Sequence, residues 1–178
     1  EVVSLASDEA EEIIANGDPY FFDDGTGDKY CYIANGTCDA SCDFCNGDPG
    51  TSGTATSTPI QDAINASTGF TLTGDTIYVL AGTYEESVTI STNGLILYGD
   101  PGNITLDGAG SDAPVLTSST YGSGTGITIN ASDVTITGFF IYGFQYGIDV
   151  QNNSGADINN NSIFGLPSGG EAIRNAAG

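Results

Sequence analysis

From residue 58 onward the chain alternates short apolar runs with turn residues. The runs fall at 76–79, 82–90, 95–98, 104–106, 115–116, 127–129, 134–136, 139–142, 148–150, 158, 163–164 and 173, with Gly, Asn, Asp or Ser between them. Runs this short read as β-strands. In two of them, Ile127/Ile129 flank Thr128 and Val134/Ile136 flank Thr135, so a strand carries two apolar residues on one face and a threonine on the other. The intervals matter more than the runs. Ile127 and Ile148 lie 21 residues apart, while Ile136–Ile158 and Ile141–Ile163 are each separated by 22. Three markers recurring together predict a structural repeat. Each unit holds about three short strands and stacks on the next, about 4.8 Å away, around a narrow apolar bore.

Before the repeat stands one amphipathic segment. Thr58 can cap a helix, Pro59 suits its first position, and Ile60, Ala63 and Ile64 share a face. Residues 1–18 are acidic, and 8–15 (Asp-Glu-Ala-Glu-Glu-Ile-Ile-Ala) predict a short helix that stops at Asn16-Gly17. Tyr20-Phe21-Phe22 and Tyr30-Cys31-Tyr32-Ile33 flank an Asp/Gly loop and read as a β-hairpin. Residues 46–58 are a Gly/Ser/Thr-rich linker. The expected organisation is an N-terminal segment over 1–57 and a repeat domain over 58–178.

Composition excludes more than it suggests. Against 23 acidic residues stand two basic ones, Lys29 and Arg174, and the net charge is −21. Nucleic acid and anionic membranes are read through Lys and Arg, so neither is an expected partner. No run approaches a membrane-spanning length. Histidine is absent, which removes imidazole-based nucleophiles, His-ligated zinc and the usual proton shuttle. The chain starts at Glu1 without Met, as a processed, exported protein would.

Cys31, Cys38, Cys42 and Cys45 lie close together. Two disulfides in a secreted protein are the expectation, with three pairings open. A four-thiolate metal site is the alternative, although the interval from Cys31 to Cys38 is not a zinc spacing. Asn-x-Ser/Thr sequons occur at Asn35, Asn65, Asn103, Asn130, Asn152 and Asn160 and point to a glycosylated surface protein. No metal site is expected. The nearest approach to one is the loop carboxylates Asp23, Asp24 and Asp28, as Ca2+ ligands, but their spacing is not that of an EF-hand and no Glu closes the set.

Pro59-Ile-Gln-Asp-Ala-Ile-Asn-Ala66, Gly74-Asp-Thr-Ile-Tyr-Val79 and Ala81-Gly-Thr-Tyr-Glu-Glu-Ser-Val-Thr-Ile90 resemble the opening of right-handed parallel β-helix proteins of the pectin-lyase-like superfamily. Val134-Thr-Ile-Thr-Gly-Phe139, Tyr146-Gly-Ile-Asp-Val150 and Asn159-Asn-Asn-Ser-Ile163 resemble its internal rungs. The resemblance covers about residues 58–175, two-thirds of the chain. It implies an all-β fold: a right-handed parallel β-helix of about 4–5 coils, capped by a short N-terminal helix at 59–66 and preceded by the small Cys-containing hairpin region. It implies no single activity, because the superfamily spans lyases, hydrolases, epimerases and non-enzymatic surface proteins.

The family's chemistries do not transfer. Its lyases use an Arg or Lys base, yet here Arg174 and Lys29 lie at the margins. Its polygalacturonases use an Asp trio with a nearby His. Asp107, Asp133, Asp149 and Asp157 are candidates, but they read as turn and surface residues and no His accompanies them. Its epimerases use Asp-Pro-His, whereas Asp100-Pro101 is followed by Gly102. The expectation is therefore no catalytic residue and no enzyme.

The ends of such a rod carry the functional expectation. An end coil presents unpaired N–H and C=O groups. A candidate helix stands at the N-terminal end, while Gly170-Glu-Ala-Ile-Arg-Asn175 reads as one more rung. The sequence thus suggests an extracellular structural protein that joins head to tail into a surface filament, sheath or surface layer. Ca2+ or salt would screen its carboxylates. The alternatives are an adhesin, or a carbohydrate-binding or carbohydrate-active β-helix in which Tyr98, Tyr121 and Tyr142 stack on sugar rings.

Overall fold

A computed structural model describes residues 20–22, 29–31, 44–45, 48–49, 57–67, 76–79, 82–99, 113–151 and 155–176. The described residues are all-β with one short helix, α1 (Pro59–Ser67), and their strands gather into three stacked sheets that are mostly parallel. The stacking is compatible with a β-helix.

The first sheet holds β1 (Tyr20–Phe22), β2 (Lys29–Cys31), β3 (Phe44–Cys45), β4 (Asp48–Pro49), β5 (Thr76–Val79), β8 (Ile96–Gly99), β11 (Thr135–Thr137) and β14 (Asp157–Asn159). The second holds β6 (Gly82–Tyr84), β9 (Pro114–Thr117), β12 (Phe140–Tyr142) and β15 (Ser162–Phe164). The third holds β7 (Val88–Ile90), β10 (Thr125–Ile129), β13 (Tyr146–Val150) and β16 (Glu171–Asn175). Successive strands of the chain enter different sheets, and each pairs in parallel with the strand one repeat later.

The three sequence intervals are three strand pairings. Ile127 lies opposite Ile148, Ile136 opposite Ile158 and Ile141 opposite Ile163. Like residues stack on like residues, so each sheet contributes an apolar column to the core. The columns are Ile77–Leu97–Ile136–Ile158, Tyr84–Leu116–Ile141–Ile163 and Val88–Ile127–Ile148–Ile173. All members short of the last are buried. Pairing of Val88 with Ile127 was not legible in the spacing, because a much longer stretch of chain separates these two rungs.

Turns between strands are held from the neighbouring rung. The Asn161 side chain accepts from Phe139 N at 3.0 Å and donates to Ile136 O at 2.9 Å. It satisfies the backbone where β11 gives way to β12. At the same turn Gly138 has φ +85°, and a Cβ there would sit 2.5 Å from Gly99 O, so only glycine fits.

The expected hairpin is present: Tyr20 pairs with Cys31 and Phe22 with Lys29, antiparallel. Its first strand also pairs antiparallel with β5, setting Tyr20 against Tyr78 and Phe21 against Ile77. The hairpin therefore extends the first sheet at the edge opposite β14. The expected strand at 104–106 and the predicted helix at 8–15 lie outside the described residues.

Candidate functional site

The two ends of the stack are built differently. At the end where the repeat begins, α1 packs against β5 and β7. Its first turn starts as the sequence suggests: Thr58 O accepts from Asp62 N at 2.9 Å, with Pro59 in a position that needs no donor. Ile60, Ala63 and Ile64 are buried in the core cluster. Two side chains fasten the helix. The Glu86 carboxylate accepts from Ile60 N at 3.1 Å and from Gln61 N at 3.0 Å, satisfying donors that an α-helix leaves unpaired at its start. Burial pushes the Glu86 carboxyl up to about 7, against the pull of those two N–H groups and with some repulsion from Asp62. The Gln61 amide accepts from Thr89 N at 2.6 Å and donates to Thr89 O at 3.2 Å. It thereby stands in for one peptide of a neighbouring strand along the edge of β7.

At the other end the outermost strands are β14, β15 and β16, one from each sheet. Among the described residues nothing pairs with their outer edges. The three apolar columns also stop here. Ile158 and Ile163 are half-buried, and Ile173 is 51% exposed although its stacking partner Ile148 is fully buried. Among the described residues no further rung lies over Ile173.

The last strand is locked to the one before it. Asp149 and Arg174 are register partners on β13 and β16. Arg174 donates to Asp149 through Nε at 2.9 Å and also through its terminal nitrogen, a two-pronged ion pair. Gln151 donates to the same carboxylate at 2.8 Å. The guanidinium stacks on the Tyr146 ring, 3.8 Å from its centroid. The Arg174 hydrogen bonds hold the Asp149 carboxyl below its usual range, outweighing the cost of burial, and the same contact raises Arg174. The sequence reading of Asp149 as a turn or surface residue is corrected here. Asp149 is 1% exposed, and one of the chain's two basic residues is spent on it.

An aromatic strip runs along the outer face of the second sheet. Tyr142 and Phe164 are register partners, with ring centroids 5.2 Å apart. Tyr121 lies 6.0 Å from Tyr142, and Phe140 lies 6.1 Å from Phe164 in an edge-on arrangement. Tyr121, Tyr142 and Phe164 are exposed. Gly165, at φ +66°, leaves room for the Tyr142 ring: a Cβ would fall 2.2 Å from it. Tyr98 is not part of this strip. It is half-buried on β8 in the first sheet.

The other expected residues are scattered. Asp133 is exposed at a turn with φ 57°, and Asp157 is exposed on β14, accepting from Asn159 at 2.9 Å. Asp107, Asp23, Asp24 and Asp28 lie outside the described residues. Among the described residues no three acidic or cysteine side chains gather where a metal ion would bind. The backbone sets Cys31 opposite Cys45 on adjacent strands, while Cys38 and Cys42 lie outside the description. Asn65, Asn130 and Asn160 are exposed, and Asn35, Asn103 and Asn152 are not described. Among the described residues no helix is long and apolar enough to cross a membrane. Gln61, Asn161 and the Asp149–Arg174 pair were missed by sequence reasoning. The repeat interval of 21–22 residues does not pair Asp149 with Arg174, which lies 25 residues further on, so no sequence signal marked the pair.

Comparison of the chain with protein-family models, with curated proteins and with solved structures gives no match.

Proposed function

We propose that the chain is a right-handed parallel β-helix of about four to five coils, resembling the pectin-lyase-like superfamily, with α1 covering its first coil. In this reading it is a non-enzymatic structural protein outside the cell that joins head to tail into a surface filament, sheath or layer. The observation that carries the reading is the end formed by β14, β15 and β16, where among the described residues no further strand joins the sheets and Ile158, Ile163 and Ile173 are half-buried or exposed. The opposite end has a different surface, so a contact between the two is heterologous and propagates instead of closing. With a net charge of −21 the subunits repel one another, and salt or Ca2+ screens that repulsion. Disulfides within the N-terminal segment and glycans on the exposed sequons fit the same location.

Electron microscopy and sedimentation of the purified chain test this, in physiological salt and after transfer to low salt with EDTA. Filaments or sheets that come apart in the second condition are expected. A chain that stays monomeric at high concentration in both would sink the proposal.

The aromatic strip favours a second reading, a carbohydrate-binding β-helix. Coplanar sugar faces stack on such rings, and Tyr121, Tyr142 and Phe164 form a contiguous exposed row. Retention on immobilised polysaccharides, lost in Tyr121→Ala/Tyr142→Ala, would support it. Equal retention of the variant would remove it.

A further inference from the structure

The surroundings of the aromatic strip narrow what it can hold, a step that rests on the carbohydrate-binding reading. Charge comes first. Strands β6, β9, β12 and β15 read Gly-Thr-Tyr, Pro-Val-Leu-Thr, Phe-Ile-Tyr and Ser-Ile-Phe. They carry no charged side chain, whereas strands of the first sheet include Lys29, Asp48 and Asp157, and those of the third include Asp149, Glu171 and Arg174. In a chain of net charge −21 this is the uncharged sheet. Polar residues in register with the strip are hydroxyl-bearing: Thr117 stands opposite Tyr142, and Ser162 opposite Phe140. Of the two basic residues, Arg174 is committed to Asp149 on the third sheet and Lys29 lies on the first. A polyanion would find no cation on these strands and would be repelled by the molecule as a whole. An uncharged chain of hydroxyls and C–H faces meets neither obstacle.

The rings set the shape. Tyr121 follows β9, Tyr142 lies on β12 and Phe164 on β15, so they come from three successive rungs and the strip crosses the strands. Neighbouring strands lie about 4.8 Å apart, close to the advance per sugar of an extended β-1,4-linked pyranose chain, so one sugar meets each rung. Centroid separations of 5.2 Å and 6.0 Å keep that step. The rings are not coplanar. Tyr121 and Tyr142 are inclined by 53°, and Tyr142 and Phe164 by 46°. A flat surface cannot lie against all three, but a single chain that turns about its glycosidic bonds can. The ring positions are also built in. Gly122 N donates to Gly143 O at 2.6 Å and Ser118 Oγ to Thr120 O at 2.8 Å, which pins the turn carrying Tyr121. Gly165 leaves the room that the Tyr142 ring occupies. Rings already in place cost little ordering entropy on binding.

We infer that Tyr121, Tyr142 and Phe164 bind a single uncharged β-1,4-linked polysaccharide chain laid along the stack, one sugar to each ring. Acidic polysaccharides and flat crystalline surfaces are not ligands of this strip. At Tyr142 the ring carries the contact and the hydroxyl is dispensable.

Native affinity electrophoresis of the full chain through gels holding soluble polysaccharide tests this. Hydroxyethylcellulose, galactomannan and xyloglucan are uncharged probes with β-1,4 backbones, and polygalacturonate is the acidic one. Cosedimentation with microcrystalline cellulose supplies the flat surface. Retardation by at least one uncharged probe is expected, with none by polygalacturonate and no cosedimentation with the crystalline solid. Tyr121→Ala/Tyr142→Ala should weaken binding by roughly tenfold or more, while Tyr142→Phe keeps it, because the ring stays. Both tyrosines are exposed, and circular dichroism checks that the variants fold. Binding of polygalacturonate or of crystalline cellulose that the double variant loses would overturn the inference and leave the carbohydrate-binding reading standing. Self-association of the unaltered chain that the double variant loses would make the strip a contact between copies and would overturn it too. No binding to any of these polymers, or binding that the double variant keeps in full, would remove both.

Discussion

The two ends of the stack start from the same columns and finish in opposite ways. Where the repeat begins, Ile77, Tyr84 and Val88 are buried, and α1 adds Ile60, Ala63 and Ile64 to the same cluster. Where it finishes, Ile158, Ile163 and Ile173 are left wholly or partly open. Burial of an isoleucine in this architecture is therefore not a property of the residue or of its strand. It depends on whether a neighbour stands on both sides. An inner rung is stabilised from above and below, and a terminal rung from one side only. The chain compensates at both places with polar side chains, and it uses different ones: Glu86 and Gln61 at the first end, Asp149 with Arg174 at the second.

The sharpest way to break this contrast lies within one column. Ile148→Ala removes a fully buried side chain and should cost roughly 2–5 kcal/mol in urea unfolding of the monomer. Ile173→Ala, one rung further on, should cost well under half as much, because that side chain is already 51% exposed. Equal losses would mean that Ile173 is covered in solution as Ile148 is.

Titration separates the ends next. Glu86 has its carboxyl raised to about 7 in the folded protein, so folding takes up its proton. Its contribution is fully present below about pH 4.5, its unfolded value, and is lost as pH rises through about 7. A shift of this size corresponds to about 3 kcal/mol. Glu86→Gln should flatten stability between those two pH values, and an unchanged slope would relocate the effect. Asp149 runs the other way. Its carboxyl is lowered, chiefly by the Arg174 hydrogen bonds, so its contribution is present above the unfolded value of 3.8 and is lost in stronger acid as pH falls through the folded pKa.

The ion pair itself gives the third prediction. Arg174→Gln leaves Asp149 buried without its cation. Thermal melting at pH 7 should fall by several degrees, and the double change Arg174→Gln/Asp149→Asn should recover part of the loss. No recovery would show that Arg174 acts through its stacking on Tyr146 alone. The smallest effect is expected at Gln61. Removing its amide in Gln61→Ala deletes two hydrogen bonds to Thr89, worth about 1 kcal/mol together at an edge open to water. Faster amide exchange at Thr89, with little change elsewhere, is the local signature to look for.

Much of the fold was legible because a stacked repeat writes itself into the sequence. Like environments recur at 21–22 residues where the turns are short, and the Ile127–Ile148, Ile136–Ile158 and Ile141–Ile163 intervals are the strand register itself. The start of α1 was legible for a different reason. Thr58, Pro59 and the 60/63/64 apolar face are local signals that need no tertiary context. The polar devices were not. Glu86 is one of two adjacent glutamates within the run 82–90, and Gln61 stands off the 60/63/64 apolar face, so neither carries a local signal. Each acquires its partner only when β7 comes to lie beside α1.

The sequence by itself determined that the chain is β-rich, carries strand markers that recur at 21–22 residues over part of its length, starts its repeat after a short amphipathic helix and has almost no positive charge to offer a polyanion. These are properties of periodicity and composition, which survive without coordinates. Only the tertiary structure decided which carboxylate is buried and which tyrosines share a surface. Asp149 and Asp157 carry the same side chain on successive rungs, yet one is sealed beneath Arg174 and the other faces water. The difference arises because a residue's solvent is set by the rung stacked above it. For Asp149 that rung is supplied by chain 25 residues further on, beyond the reach of any local signal.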